Sequence, residues 1–128
     1  MLFSSLPFII FPVKKEQMPL ISVKSSLSID FDQKQFLYEL SETLSTLSGK
    51  PESYIMTIFE RNVQMTFAGS SDPCCYVEVK SIGALKPAAM SKSLCAMIHD
   101  RLGVSMDRIY INFQDIEPSM WGFNGRTF

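Results

Sequence analysis

Apolar residues in this chain switch twice between the two-residue spacing of a strand and the three-to-four-residue spacing of a helix. Leu20, Ile21 and Val23 form a short run with β-branched members that predicts a strand. Asp32, followed three residues later by Gln35, has the form of a helix start. Behind it Phe36, Leu37, Leu40, Leu44 and Leu47 recur at helical steps. Gly49 suits the left-handed position that ends a helix. Residues 54–60 and 63–68 then read as two strands close enough to pair as a hairpin.

The second half repeats the first. Residues 75–82 alternate as a strand with Tyr76, Glu78 and Lys80 on one face. Pro87 opens a helix whose apolar positions are Met90, Leu94, Met97, Ile98 and Leu102, and Gly103 closes it. Residues 109–113 predict another strand, and a final short one falls within 121–128. Gly49 to Phe59 and Gly103 to Phe113 both span ten residues, so the helix-to-strand corners lie 54 apart. Two β-α-β units of this size predict an α/β (α+β) fold: a four-stranded mixed sheet with two helices on one face, ferredoxin-like in its layering. Right-handed crossovers make the strands of each unit parallel. The uncovered sheet face would carry Ile55, Thr57, Ile111 and Phe113 or their alternating neighbours, and an apolar face of that kind predicts an oligomer.

Composition narrows the class. With 128 residues, 46% hydrophobic and 20% charged, the chain is long enough for one folded domain and too apolar for a disordered one. A net charge of −1 without a basic run argues against a nucleic-acid partner. Residues 6–13 are apolar but too short to span a membrane, so no membrane role is expected. Three cysteines, two of them adjacent at Cys74 and Cys75, fit a reducing, cytoplasmic setting better than a disulfide scaffold. Residues 1–17 stand apart: they are apolar with Pro7 and Pro12, then polar at Lys14, Lys15 and Glu16. A secretory signal carries its charge before the apolar core, whereas here it follows. Residues 1–18 therefore read as an extension or a mis-assigned start, absent from the mature chain or disordered, and 19–128 as a single domain. Met18-Pro19 has the form of a translation start from which the initiator methionine is removed.

The inventory of reactive side chains is thin. His99 is the lone histidine and sits on the second predicted helix, so a metal site with two His ligands is excluded. No glycine-rich phosphate loop occurs. Cys74-Cys75 lacks the spacer of a redox pair, and Cys95 lies in an apolar helix stripe and reads as packing. Pro19 remains. As a mature N-terminus it would be a secondary amine, and an amine kept neutral near pH 7 removes a proton from carbon beside a carbonyl. The other reading is that Pro19 only begins an edge strand, which proline tolerates.

Taken in order, Pro19-Leu20-Ile21, Gly49-Lys50-Pro51, Met65-Thr66-Phe67, Ser81-Ile82-Gly83, Asp107-Arg108-Ile109-Tyr110-Ile111-Asn112 and Trp121-Gly122-Phe123-Asn124-Gly125 resemble the macrophage migration inhibitory factor and D-dopachrome tautomerase family. The resemblance spans essentially all of residues 19–128. It implies a homotrimer with sites at the subunit boundaries, and keto–enol tautomerisation of phenylpyruvate-like aromatic 2-oxo acids without metal or organic cofactor. In that family pattern Pro19 is the base and Lys50 holds the substrate carboxylate. Ile82 lines the pocket, and Tyr110 and Asn112 come from the neighbouring subunit. Tyr54, Trp121 and Phe123 form the aromatic wall. The resemblance also allows a second role: a cytokine-like protein, secreted by a non-classical route to a receptor, with the pocket as a vestige. Three departures stand out. Val77 replaces the second cysteine of the Cys-x-x-Cys pair that Cys74 would begin, so thiol-oxidoreductase activity does not carry over. Lys80 replaces a pocket histidine and, facing the pocket, would add a second cation that lowers the amine's pKa. Trp121 stands for a smaller aliphatic residue and Phe123 for the usual tryptophan.

Overall fold

In the computed structural model, which describes residues 18–128, Asp32 starts the first helix by accepting a 3.0 Å hydrogen bond from the Gln35 N–H. Helix α1 (Gln33–Ser48) ends at Gly49 and α2 (Pro87–Leu102) at Gly103. Both glycines are left-handed, with φ of 75° and 72°, and each donates its N–H four residues back. Residues 1–17 lie outside the described residues, and with them the expectation for the extension.

Strands β1 (Leu20–Ser25), β2 (Met56–Glu60), β3 (Cys75–Ser81) and β4 (Ile109–Asp115) form one sheet in the order β2-β1-β3-β4. Each β-α-β unit is a parallel pair, β1 with β2 and β3 with β4, and the units join through antiparallel β1 and β3. The two-layer arrangement is therefore the expected one, but neither unit is split as in a ferredoxin-like sheet. Ile21 and Val23 of β1 and Val77 and Val79 of β3 meet Leu40 and Leu44 of α1 and Leu94 and Ile98 of α2, all fully buried. Burying such a side chain contributes about 1.5–3 kcal/mol. Beside them Phe31, Phe36 and Phe59 pack edge to face, with centroids 5.0–6.0 Å apart.

Three expectations are corrected. Residues 63–68 form no strand. After β2, Asn62 (φ 60°) turns the chain so that the Asn62 N–H bonds the Leu27 carbonyl and the Val63 N–H bonds the Ser25 carbonyl. The segment thus crosses the end of β1 instead of returning along β2, and its one ladder contact is the Phe67–Ser70 bridge. Of the two registers left open for the uncovered face, the strands take the alternating neighbours, and that face is not the apolar one expected. Ile55, Ile111 and Phe113 pack toward the helices. The face away from them carries Met56, Ile58, Tyr76 and Tyr110 beside Lys24, Glu78, Lys80 and Asn112, a mixed surface rather than an apolar one. Tyr54 lies outside β2, in a 3-10 turn (Glu52–Tyr54). The final strand is a small hairpin, β5 (Gly122–Phe123) with β6 (Arg126–Thr127). Its turn residues Asn124 and Gly125 have φ of 53° and 83°, as a primed two-residue turn requires.

Candidate active site

Pro19 precedes β1, which is an inner strand and not an edge. Its carbonyl accepts a 3.1 Å bond from the Met56 N–H and so anchors the first pair of the β1–β2 ladder, Leu20 with Met56. A proline costs a ladder nothing at the first position of a strand, where no donor is called for. The ring is fully buried. Beside it lies a cavity of about 340 Å³ walled by Leu20, Tyr54, Ile55, Trp121 and Phe123, within the size range of small-ligand sites.

Two irregular segments set the aromatic wall. Tyr54 is held by its turn, where the Tyr54 N–H bonds the Pro51 carbonyl and the Ile55 N–H bonds that of Glu52. Trp121 and Phe123 come from the C-terminal hairpin. The Phe128 N–H lies within bonding distance of both the Pro118 and Trp121 carbonyls, and the Phe123 and Phe128 rings stack at 5.8 Å. Four of the sequence-derived residues, Pro19, Tyr54, Trp121 and Phe123, are thereby brought together. Leu20 and Ile55 complete the wall. Their adjacency to Pro19 and Tyr54 was the signal that sequence reasoning passed over.

The remaining candidates lie elsewhere in this single chain. Lys50 follows α1 with its carbonyl bonded by Ser45 Oγ at 2.6 Å and its N–H bonded to Ser48 Oγ at 3.2 Å. It is half-buried, does not line the Pro19 cavity, and its ammonium has no acidic partner among the described residues. Ile82 is buried and lines a different cavity of about 320 Å³ with Gly83, Asp115, Ile116 and Pro118. Tyr110 and Asn112 stand exposed on β4, two strands from β1. Tyr110 pairs with Tyr76, which pairs with Lys24, five residues beyond Pro19. At about 4.8 Å between strands and about 3.3 Å per residue, Tyr110 is about 19 Å from Pro19, and by the same reasoning Asn112 is about 14 Å away. Neither side chain spans that gap.

A polar chain crosses the open face. Asn112 Nδ2 donates to the Tyr76 hydroxyl at 3.3 Å, Tyr76 donates to Glu78 at 3.0 Å, and the other Glu78 oxygen lies 3.8 Å from Lys80 Nζ. Lys80 does not line the Pro19 cavity but an adjoining one. The cysteines are placed against thiol chemistry. Burial pushes the Cys75 thiol up to about 11, outweighing the lowering effect of the Ser25 hydroxyl, and Cys74 is buried beside it. Cys95 is half-buried and packs against the core. His99 bonds through Nδ1 to the Val104 carbonyl at 2.9 Å, a structural tie at the end of α2. Among the described residues no three His, Cys, Asp or Glu side chains group as a metal site, and no helix is long and apolar enough to cross a membrane.

Residues 18–128 match the family described as macrophage migration inhibitory factor. Macrophage migration inhibitory factor of Meriones unguiculatus is 40% identical over 114 residues, covering 87% of this chain and 99% of that protein. The Rattus norvegicus protein is 39% identical over the same coverage. The crystal structure of a macrophage migration inhibitory factor homologue from Prochlorococcus marinus is similar at a TM-score of 0.82 and 46% identity, over 85% of this chain and 98% of that one.

Proposed function

Since the chain belongs to the macrophage migration inhibitory factor family, we propose that it is a keto–enol tautomerase for phenylpyruvate-like 2-oxo acids. The supporting observation is Pro19 itself, buried at the head of an inner strand against an aromatic-walled cavity. Chain beginning at Pro19, after loss of residues 1–18, exposes a secondary amine there. Apolar surroundings disfavour its protonated form. Lys50, the point cation that the family pattern assigns to the substrate carboxylate, takes that role here although it lies outside the lining of the Pro19 cavity. The Pro19 nitrogen takes a proton from the carbon beside the 2-oxo group and delivers it to the resulting enolate oxygen, so one C–H bond breaks, one O–H bond forms and no net proton is consumed.

Tyr110 and Asn112 hydrogen-bond the developing enolate, which places charge stabilisation where charge appears. In this reading they enter from a second subunit, with which their separation from the Pro19 of their own chain is consistent, and the active form is a homotrimer with its sites at the subunit boundaries.

Intact mass of the native protein, together with phenylpyruvate turnover on the same sample, tests this reading. A mass starting at Pro19 with enol–keto conversion is expected. Full turnover with the leader attached would overturn the proline-base mechanism, because an acylated nitrogen has no basicity. A processed protein without turnover would leave the cytokine-like, binding-only role.

A further inference from the structure

Lys80 lies on β3 directly opposite Leu20 in the antiparallel β1–β3 ladder, so the two side chains share one sheet face, one residue from Pro19. It lines a cavity of about 350 Å³ with Leu20, Ile116, Met120, Trp121 and Gly122. Leu20, Trp121 and Gly122 also line the Pro19 cavity, so the two spaces adjoin along these three residues. Among the described residues, Lys80 is the only charged one lining either space. An otherwise apolar groove thus has the Pro19 ring toward one end and a single cation toward the other.

We propose that Lys80 is an anion subsite of this groove, and that the site takes 2-oxo acids whose apolar body carries a second carboxylate. The inference rests on the tautomerase reading for the 2-oxo acid and on Lys80 for the second anion. Glu78 does not cancel the cation. It lies outside the cavity lining, and its contact at 3.8 Å is long, with both side chains about one-third exposed (36% and 32%). Such a pair is weak. Glu78 also accepts a 3.0 Å bond from the Tyr76 hydroxyl, and the Lys80 ammonium keeps donors for a ligand oxygen.

Trp121 is the chain's single tryptophan and sits on the shared wall, so its fluorescence reports occupancy without requiring turnover. Dissociation constants for phenylpyruvate and for phenylpyruvate bearing a para-carboxylate are measured by Trp121 quenching on the wild-type protein, Lys80→Met and Lys80→Arg, with KM for both acids alongside. The wild type is expected to bind the dicarboxylate about tenfold more tightly. Lys80→Met is expected to abolish that preference while phenylpyruvate binding stays within about twofold, and Lys80→Arg to keep it. Equal constants for the two acids in the wild type, or a preference that survives Lys80→Met, would overturn the proposal, as would absence of quenching by either acid. A Lys80-dependent preference in a protein that turns over neither acid would uphold the subsite and sink the tautomerase reading.

Discussion

The ring of Phe67 packs 4.7 Å from that of Tyr110, tilted by 60°, although the two lie 43 residues apart. Arg108 sits over the same Phe67 ring at 5.3 Å and bonds the carbonyls of Ser70, Asp72 and Pro73 at 3.0–3.2 Å. One ring therefore ties the irregular segment after β2 to the tyrosine that the proposed mechanism sends to a neighbouring subunit. We expect Phe67→Ala to raise KM for phenylpyruvate about fivefold by freeing Tyr110, in line with the coupling typical of an aromatic pair. Phe67→Tyr, which keeps the packing, should restore it. Equal loss in both variants would remove Phe67 from the positioning of Tyr110.

Pro19→Gly retains the carbonyl that bonds the Met56 N–H, so the β1–β2 ladder stays intact. Turnover is expected to drop by about 10²–10⁴-fold, the scale of general-base catalysis, with the circular dichroism spectrum unchanged. Wild-type turnover would take Pro19 out of the reaction.

Lys50→Ala should leave the helix end in place, because the 2.6 Å bond there is accepted by the backbone carbonyl and not by the side chain. KM for a carboxylate substrate is expected to increase about tenfold with kcat nearly constant, the loss of one charge-assisted contact. An unaltered KM would put the carboxylate elsewhere.

Phe36 is fully buried and touches both Phe31 and Phe59 edge to face. Phe36→Ala is expected to cost about 3–5 kcal/mol, read as a lower urea midpoint with unchanged slope. A shift below about 1 kcal/mol would mean that the cluster collapses around the gap.

Cys75 supplies a pH dependence. Its thiol is held near 11 in the folded chain against an ordinary 9.0, chiefly by burial. Above pH 9 the unfolded state loses this proton first and binds fewer protons than the native state, so stability declines as pH rises toward 11. Full stabilisation is present below pH 9, and about 2 kcal/mol is lost across the window. Denaturation midpoints followed from about pH 8 to about pH 10.5 should therefore fall more steeply in the wild type than in Cys75→Ala.

Both helices, their glycine stops and the four main strands were legible in the chain because the causes are local. Asp32 bonds a residue three positions on, and Gly49 and Gly103 turn left-handed where the apolar periodicity ends. The aromatic wall was legible through family resemblance. Residues 63–68 misled because alternation specifies a strand only when a partner is beside it, and the bond from Val63 to Ser25 takes the segment away from β2. The contact between Phe67 and Tyr110 had no signal at all.

Sequence alone determined the two repeated β-α-β units and the proline at their head, since capping, periodicity and helix termination act over a few residues. The tertiary structure decided which face each strand presents, because a one-residue change in register turns every side chain over. It also decided that Lys80 stands opposite Leu20 beside the Pro19 cavity, whereas Tyr110 is about 19 Å from the same proline. Those relationships arise from ladders pairing residues 34 to 60 positions apart in the chain, and no local pattern encodes them.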